Sequence, residues 1–251
     1  MTIRWPKLQR VKSLLYPPIC EDCGDPFYDG DSPCLCSRCE ADVQLNAAPY
    51  CQVCGEAYAG FLPTDFECSN CGDRTIHFDF AIGAIQSGQK SMELMHRYKY
   101  LGQMRLSKYF GYQMQRVWQD KRLLGKPWNI IPVPLHMARR RERGFNQTDE
   151  IAREFLRQSP PEIRKDLRLI RPLKRSRKTV RQASLDRKDR LENLAEAFEI
   201  RSRGLRKAQK SGYFMIIDDV LTTGATGSEC ASVLRKALEV KEIAVISALR
   251  G

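Results

Sequence analysis

The amino-acid sequence predicts an α/β protein, a doubly wound parallel sheet preceded by a small four-cysteine zinc-ribbon domain. Three observations predict it. A strand, a helix and a second strand succeed one another over residues 213–249, the order from which parallel sheets are built. A loop of small residues, 222–226, joins the first of these strands to the helix. Eight cysteines in four Cys-x-x-Cys pairs crowd between Cys20 and Cys71.

Residues 1–77 are assigned to the ribbon domain with a short basic lead-in, and residues 78–251 to the α/β domain. The lead-in, residues 1–18, ends in Tyr16-Pro17-Pro18. Residues 19–75 are rich in Cys, Gly, Pro and Asp and have few regularly spaced apolar side chains. Such a segment builds no core of its own, so a metal must fold it. Residues 78–85 read as a strand. Residues 91–118 read as mostly helical, with Met92, Met95, Tyr98, Tyr109, Met114 and Val117 at helical spacing.

Residues 129–134 form a short strand running into a loop, and residues 148–157 a helix closed off by Pro160-Pro161. Residues 164–193 are crowded with Arg and Lys, and their weak periodicity reads as a mobile surface loop. Residues 213–217 are a near-continuous apolar strand, as expected where both faces of a parallel sheet are covered. From about Thr226 a helix is expected to bury Cys230, Val233, Leu234, Ala237 and Leu238. Residues 242–249 are another buried strand.

Hydrophobic content of 42% and charged content of 29% exclude wholesale disorder. No apolar run approaches the roughly 20 residues of a membrane helix, so no membrane insertion is expected. The basic start, Met1 to Lys7, is not followed by the apolar stretch of about 7–15 residues that marks a secretory signal, which places the protein in the cytoplasm. The net charge of +12 is unevenly spread: residues 1–80 hold 6 Lys/Arg and 12 Asp/Glu, and the remaining 36 and 18 follow. One end is acidic, and the other attracts phosphates by its field alone.

Nine of the ten cysteines lie between Cys20 and Cys71, and in a reducing compartment that clustering reads as metal ligation. The pairs Cys20/Cys23, Cys36/Cys39, Cys51/Cys54 and Cys68/Cys71 are separated by 12, 11 and 13 residues. Knuckles of this kind give closed tetrahedral sites in which four thiolates hold structural zinc, with no position left for chemistry. Two zinc ions are expected. A sequential pairing, 20/23 with 36/39 and 51/54 with 68/71, and an interleaved one both satisfy the spacing. Cys34 is spare, and Cys230 falls on the buried face of the last helix.

After the strand over residues 213–217 come two adjacent carboxylates, Asp218 and Asp219, and then the loop into the helix. Open α/β sheets bind ligands at the carboxyl ends of their strands, where a helix amino-terminus offers free N–H groups to an anion. Gly224 permits close backbone approach, and Thr222, Thr223 and Thr226 can donate hydroxyl hydrogen bonds to phosphate oxygens. The two acids repel a phosphate, so they must serve ribose hydroxyls, directly or through Mg²⁺. A P-loop needs a Lys after its second glycine, and none follows Gly224.

The run Asp218-Asp219-Val220-Leu221-Thr222-Thr223-Gly224-Ala225-Thr226 resembles the phosphoribosyl pyrophosphate (PRPP) signature of type I phosphoribosyltransferases. Ile131-Pro132-Val133-Pro134-Leu135, with Arg139 and Arg143-Gly144-Phe145-Asn146-Gln147, resembles the ComF family, as does the set Lys178, Gln182, Leu185, Arg190, Asn193 and Phe198. Twin Cys-x-x-Cys ribbons at the amino terminus are also characteristic of ComF-like proteins. The resemblance covers nearly the whole chain from Leu14. It implies a type I phosphoribosyltransferase-like fold, catalytic roles for Asp218 and Asp219, and PRPP contacts from residues 220–226. It also implies pyrophosphate contacts from Arg139, Arg143 and Asn146, and a flexible loop over the site carrying Lys178, Gln182 and Arg190.

Two functions follow. As an enzyme, the protein lets a nitrogen nucleophile displace pyrophosphate from PRPP, with Mg²⁺ on the diphosphate. As a DNA handler, which the resemblance implies for natural competence, it binds single-stranded DNA, and the ribbon docks a competence or DNA-processing protein. Residues 136–210 hold 23 Lys/Arg against 11 Asp/Glu, but only Phe145, Phe155 and Phe198 are aromatic there, a poor supply of stacking platforms.

Overall fold

Strands buried on both faces set the centre of the molecule. The computed structural model describes residues 17–28, 32–60, 68–72, 75–176, 197–205 and 210–251. Their helices are α1 (Ser37–Ala41), α2 (Gln89–Tyr100), α3 (Leu106–Gln113), α4 (Met137–Arg143), α5 (Gln147–Gln158), α6 (Pro161–Arg164), α7 (Ser202–Leu205) and α8 (Ala225–Ala237). The strands are β1 (Phe80–Gln86), β2 (Asn129–Pro132), β3 (Arg168–Leu169), β4 (Leu173–Arg175), β5 (Phe198–Ile200), β6 (Tyr213–Leu221) and β7 (Glu242–Arg250). Five of them form a wholly parallel sheet in the order β1-β7-β6-β2-β3. The short pair β4 and β5 is antiparallel.

Successive side chains of β6 point to opposite faces, and each face has its own core. Phe214 and Ile216 pack with Ile131, Val245 and the Cys230, Ala231 and Leu234 side chains of α8. Met215 and Ile217 pack on the other face with Ile130, Ala244, Ile246 and the apolar sides of α2, α3 and α5. In α5, Ile151, Ala152 and Phe155 are fully buried, and Phe155 stacks on Trp118 at 5.2 Å between ring centroids. Burying each such aromatic stabilises the fold by about 1.5–3 kcal/mol. On the opposite side α8 lies close to the sheet because residue 227 is glycine. A Cβ there would meet Val245 at 2.9 Å.

The first half of the ribbon shares the core of the sheet, whereas Cys51, Cys54 and Cys68, with Tyr58 and Cys71, form a small cluster of their own. Phe27, Cys34, Leu35 and Val43 belong to the same buried cluster as Phe80, Ile85 and Leu94. Asp22 is tied to α2 by Lys90 at 2.9 Å and Arg97 at 3.0 Å, and the Arg97 guanidinium also donates to the Glu21 carbonyl. Cys34 is fully buried, and its thiol donates to the Arg105 carbonyl at 3.2 Å. Burial pushes its pKa up to about 11, so it packs as an inert thiol.

Several expectations need correction. The helical stretch over residues 91–118 breaks after Tyr100 at Gly102, whose φ is +69°, a conformation that ends helices. Its last turn, Met114–Gln119, is a 3-10 helix. Pro160-Pro161 closes α5 but opens α6, with Pro161 in the first turn, where a missing N–H is tolerated. The loop expected over residues 164–193 instead contains β3 and β4 in its described part. Lys178, Gln182, Leu185, Arg190 and Asn193, and residues 1–16 of the lead-in, lie outside the described residues. In α8, Ala237 is exposed and Val233 and Leu238 are half-buried, whereas Gly227 and Ala231 take the inward positions.

Candidate functional site

The site arises from unequal strand lengths. β2 ends at Pro132, opposite Ile217 of β6. β6 continues to Leu221, paired beyond that point only with β7. Asp218 and Asp219 are therefore inside the strand rather than beyond it, and rigid ladder pairing holds them where a turn would leave them loose. Where β2 departs, a cavity of about 630 Å³ opens beside β6. It is lined by Asp218, Asp219, Val220 and Thr226, by Lys99 and Tyr100 of α2, by Arg139 and Arg143 of α4, and by Gln147 and Arg175.

The two carboxylates have different surroundings. Asp219 Oδ2 lies 2.9 Å from Lys99 Nζ and accepts from Gln147 Nε2 at 2.8 Å. Burial works to raise its pKa, but the Lys99 charge and these bonds outweigh it and hold Asp219 low. Asp218 has no such partner among the described residues. Burial, then the neighbouring Asp219 charge, pushes its carboxyl up to about 7, against the Asp219 N–H that its Oδ1 accepts at 2.9 Å. Near neutrality one acid is a fixed anion and the other is poised to gain or lose a proton.

Four cationic side chains, Lys99, Arg139, Arg143 and Arg175, line the cavity with these two acids. Arg139 and Arg143 are one helical turn apart on α4 and both half-buried, while Arg140 and Arg141 between them are exposed. The Arg143 guanidinium carbon sits 4.7 Å above the Tyr100 ring, and Nη2 donates to the Tyr100 hydroxyl at 2.9 Å. Its Nη1 and the Gln147 Oε1 are buried without hydrogen-bond partners among the described residues. Arg175 packs over Phe198, its carbon 5.3 Å from the ring centroid. Burial and the Arg139 charge lower its pKa.

The turn after β6 behaves as a helix cap. Gly224 adopts a φ of +77° and precedes the first residue of α8, and Thr223 Oγ1 accepts from the Ala225 N–H at 3.3 Å. Val220 and Thr226 line the cavity; Leu221 is buried in the core, and Thr222, Thr223, Gly224 and Ala225 form the turn between them. Asn146 does not line the cavity. Its Nδ2 donates to the Val133 carbonyl at 3.2 Å and its Oδ1 accepts from Thr148 at 2.9 Å, which fixes the start of α5.

Sequence reasoning missed Lys99, Gln147 and Arg175 as site residues. Gln147 closes the motif at residues 143–147 without having been given a role, Lys99 and Arg175 sit in polar stretches, and only the fold brings all three to the cavity beside β6. The scarcity of stacking rings within residues 136–210 is deepened by the fold. Phe155 and Phe198 are buried and Phe145 packs against the core. Tyr100, at 48% exposure, stands at the cavity instead, with His96 4.8 Å away between ring centroids.

The cysteines group sequentially, Cys20, Cys23, Cys36 and Cys39 in one set and Cys51, Cys54, Cys68 and Cys71 in the other, each within 4.8 Å. Sulfur separations of 3.9 Å for Cys23–Cys36, 3.9 Å for Cys51–Cys71 and 3.6 Å for Cys54–Cys68 match the ~3.8 Å edge of a tetrahedron with Zn–S bonds of about 2.3 Å. Both sets fit structural zinc. Burial opposes ionisation of Cys20 and Cys54, yet both are held down to about 7, Cys20 by backbone N–H groups and Cys54 chiefly by Arg250.

Among the described residues no helix is long and apolar enough to cross a membrane. No family model matches the chain. The chain is similar to "Competence protein F" of Haemophilus influenzae, at 30% identity over 219 residues, covering 84% of this chain and 88% of that protein. It is also similar to "DNA utilization protein YhgH" of Escherichia coli, at 27% identity over 80% of this chain and 91% of the relative. The protein of that name in Shigella flexneri matches at 26% identity over the same shares.

Proposed function

The chain belongs to the ComF family, and on that premise we propose that it is a PRPP-binding, phosphoribosyltransferase-like protein acting on single-stranded DNA during DNA uptake. The relatives named for competence and for DNA utilization support the DNA-related role. The PRPP reading is carried by one observation: a carboxylate pair inside β6 shares a cavity with four cationic side chains, beside the glycine-capped start of α8.

In this reading, the ribose diol is held by Asp218 and by the open Gln147 Oε1. The 5-phosphate lies on the N–H groups of residues 222–226, where the helix dipole favours an anion. Arg139 and Arg143 neutralise the pyrophosphate, and Arg143 has an N–H to give it. Mg²⁺, were it bound with PRPP, would add charge neutralisation of the leaving group. Asp219, pinned by Lys99, supplies fixed negative charge near a developing oxocarbenium carbon. Arg140 and Arg141, exposed on the outer side of α4, offer phosphate contacts to a nucleic acid strand next to Tyr100.

A second reading is an active phosphoribosyltransferase on a small nitrogen nucleophile, without a DNA role. The Met92, Met95 and Tyr100 side of the cavity favours it, being an apolar wall that suits a planar heterocycle. Calorimetric titration of the zinc-loaded protein with PRPP and Mg²⁺ tests both, with Asp218→Asn/Asp219→Asn as control. Saturable binding that vanishes in the control is the expected result, followed by an acceptor screen through pyrophosphate release. Absence of binding to the wild type rejects the PRPP reading.

A further inference from the structure

Arg250, at the end of β7, is 4% exposed, and its guanidinium joins two sites remote in sequence. Nε donates to the Cys54 carbonyl at 2.9 Å. Nη2 donates to the Cys54 sulfur at 3.4 Å and to Glu56 Oε2 at 3.2 Å. Nη1 donates to the carbonyls of Leu221 at 3.1 Å and Thr222 at 2.8 Å, and to that of Gly251. One planar cation therefore holds a cysteine of the second four-cysteine set with one edge and the first residues of the candidate phosphate loop with the other.

The surroundings are shaped for this bridge. Residue 83 is glycine, and a Cβ there would stand 2.5 Å from the Arg250 Cβ. The glycine lets the β7 backbone at residue 250 approach β1 closely. The cysteine knuckle is itself locked to β1, since the Ala81 N–H donates to the Val53 carbonyl at 2.7 Å. Gly55, at φ +68°, would bring a Cβ within 2.7 Å of the Ala81 oxygen. A buried guanidinium requires a countercharge. Glu56 is partly exposed, whereas four thiolates on one zinc ion carry a net −2 against which Arg250 is already hydrogen-bonded.

We propose that Arg250 is a positioning residue through which zinc at Cys51, Cys54, Cys68 and Cys71 supports the loop at residues 221–226, so that metal occupancy and loop order are linked. The link acts through Arg250 on the backbone carbonyls that lead into the Gly224 turn. Such coupling is reciprocal: whatever the loop binds must tighten this zinc site by the same factor. The first set of four cysteines, whose sulfurs hydrogen-bond within the set, serves as the internal control. That the loop's ligand is PRPP rests on the function proposed above; the linkage itself does not.

The test is amide hydrogen exchange across residues 219–228 in full-length protein, with zinc counted for each sample. Arg250→Ala that keeps two zinc ions should exchange about tenfold faster at residues 222–226 than wild type, within the usual span of coupling between sites. Added guanidinium ion should restore protection, which a merely structural cavity would not allow. Protein with its second site emptied by Cys68→Ser/Cys71→Ser should show the same acceleration, and Cys23→Ser/Cys39→Ser in the first site should not. Where Arg250→Ala fails to fold, Arg250→Lys and the cysteine variants give the same comparison. Unchanged exchange at 222–226 in zinc-loaded Arg250 variants, or equal acceleration from either zinc site, overturns the proposal. Because this readout uses no ligand, it stands whether or not the wild type binds PRPP.

Discussion

Asp218→Asn should make the folded protein more stable at pH 8 while abolishing ligand binding, a trade that follows from where the carboxyl is buried. Its pKa rises from 3.8 to about 7. A shift of about 3 units, at 1.36 kcal/mol each, corresponds to about 4 kcal/mol. The carboxyl borders an open cavity, so water relaxes part of that penalty and about 2 kcal/mol is expected. The folded-state pKa lies above the unfolded one, so the folded protein holds a proton that the unfolded chain releases. Wild-type stability from this group is then fully present below about pH 4, falls as pH rises to about 7, and is level beyond. The asparagine cannot titrate, and its Oδ1 still accepts the Asp219 N–H now bound at 2.9 Å. Urea unfolding of both proteins across pH 5 to 8, in one zinc buffer, gives the difference directly. It should widen with pH in favour of the variant. A difference independent of pH, or a variant less stable at pH 8, refutes the reasoning.

Lys99→Met leaves Asp219 buried without its cation, and breaking such a pair costs about 3–5 kcal/mol. Because Asp219 is held below its ordinary value of 3.8, its stabilisation is present at neutral pH and lost only as pH falls below about 4, so the variant's deficit in unfolding should be larger at neutral pH than well below pH 4. Gly227→Ala drives a methyl into Val245 and should cost about 1–3 kcal/mol, with weakened PRPP binding by calorimetry as α8 shifts. Arg143→Ala, half-buried at the cavity wall, should leave thermal stability nearly unchanged and weaken pyrophosphate binding by about tenfold, the value of one charge-assisted bond. Metal analysis should count two zinc ions per chain. Chelation should lower the melting temperature of the whole chain rather than release a separate ribbon, because Leu35 and Cys34 share the core of the sheet.

The sequence by itself determined the fold class, the four Cys-x-x-Cys pairs, the acidic pair and the glycine turn. Each is a local signal: a near-continuous apolar run, fixed knuckle spacing, or one residue type that a backbone angle demands. Arg139 and Arg143 were named by the family resemblance, and the structure puts them one turn apart on α4 at the cavity. Tertiary structure decided what lies opposite these groups. Lys99 and Gln147 reach Asp219 only because α2 and α5 pack on the same face of the sheet, and no spacing in the chain encodes that approach. It also decided which zinc pairing forms, since sequential and interleaved knuckles obey the same local rules and differ only in packing. Arg250 ends an apolar strand and carries no motif, yet burial forces its five N–H groups to find acceptors. Those acceptors, the Cys54 knuckle and the Leu221–Thr222 carbonyls, meet only in the folded sheet.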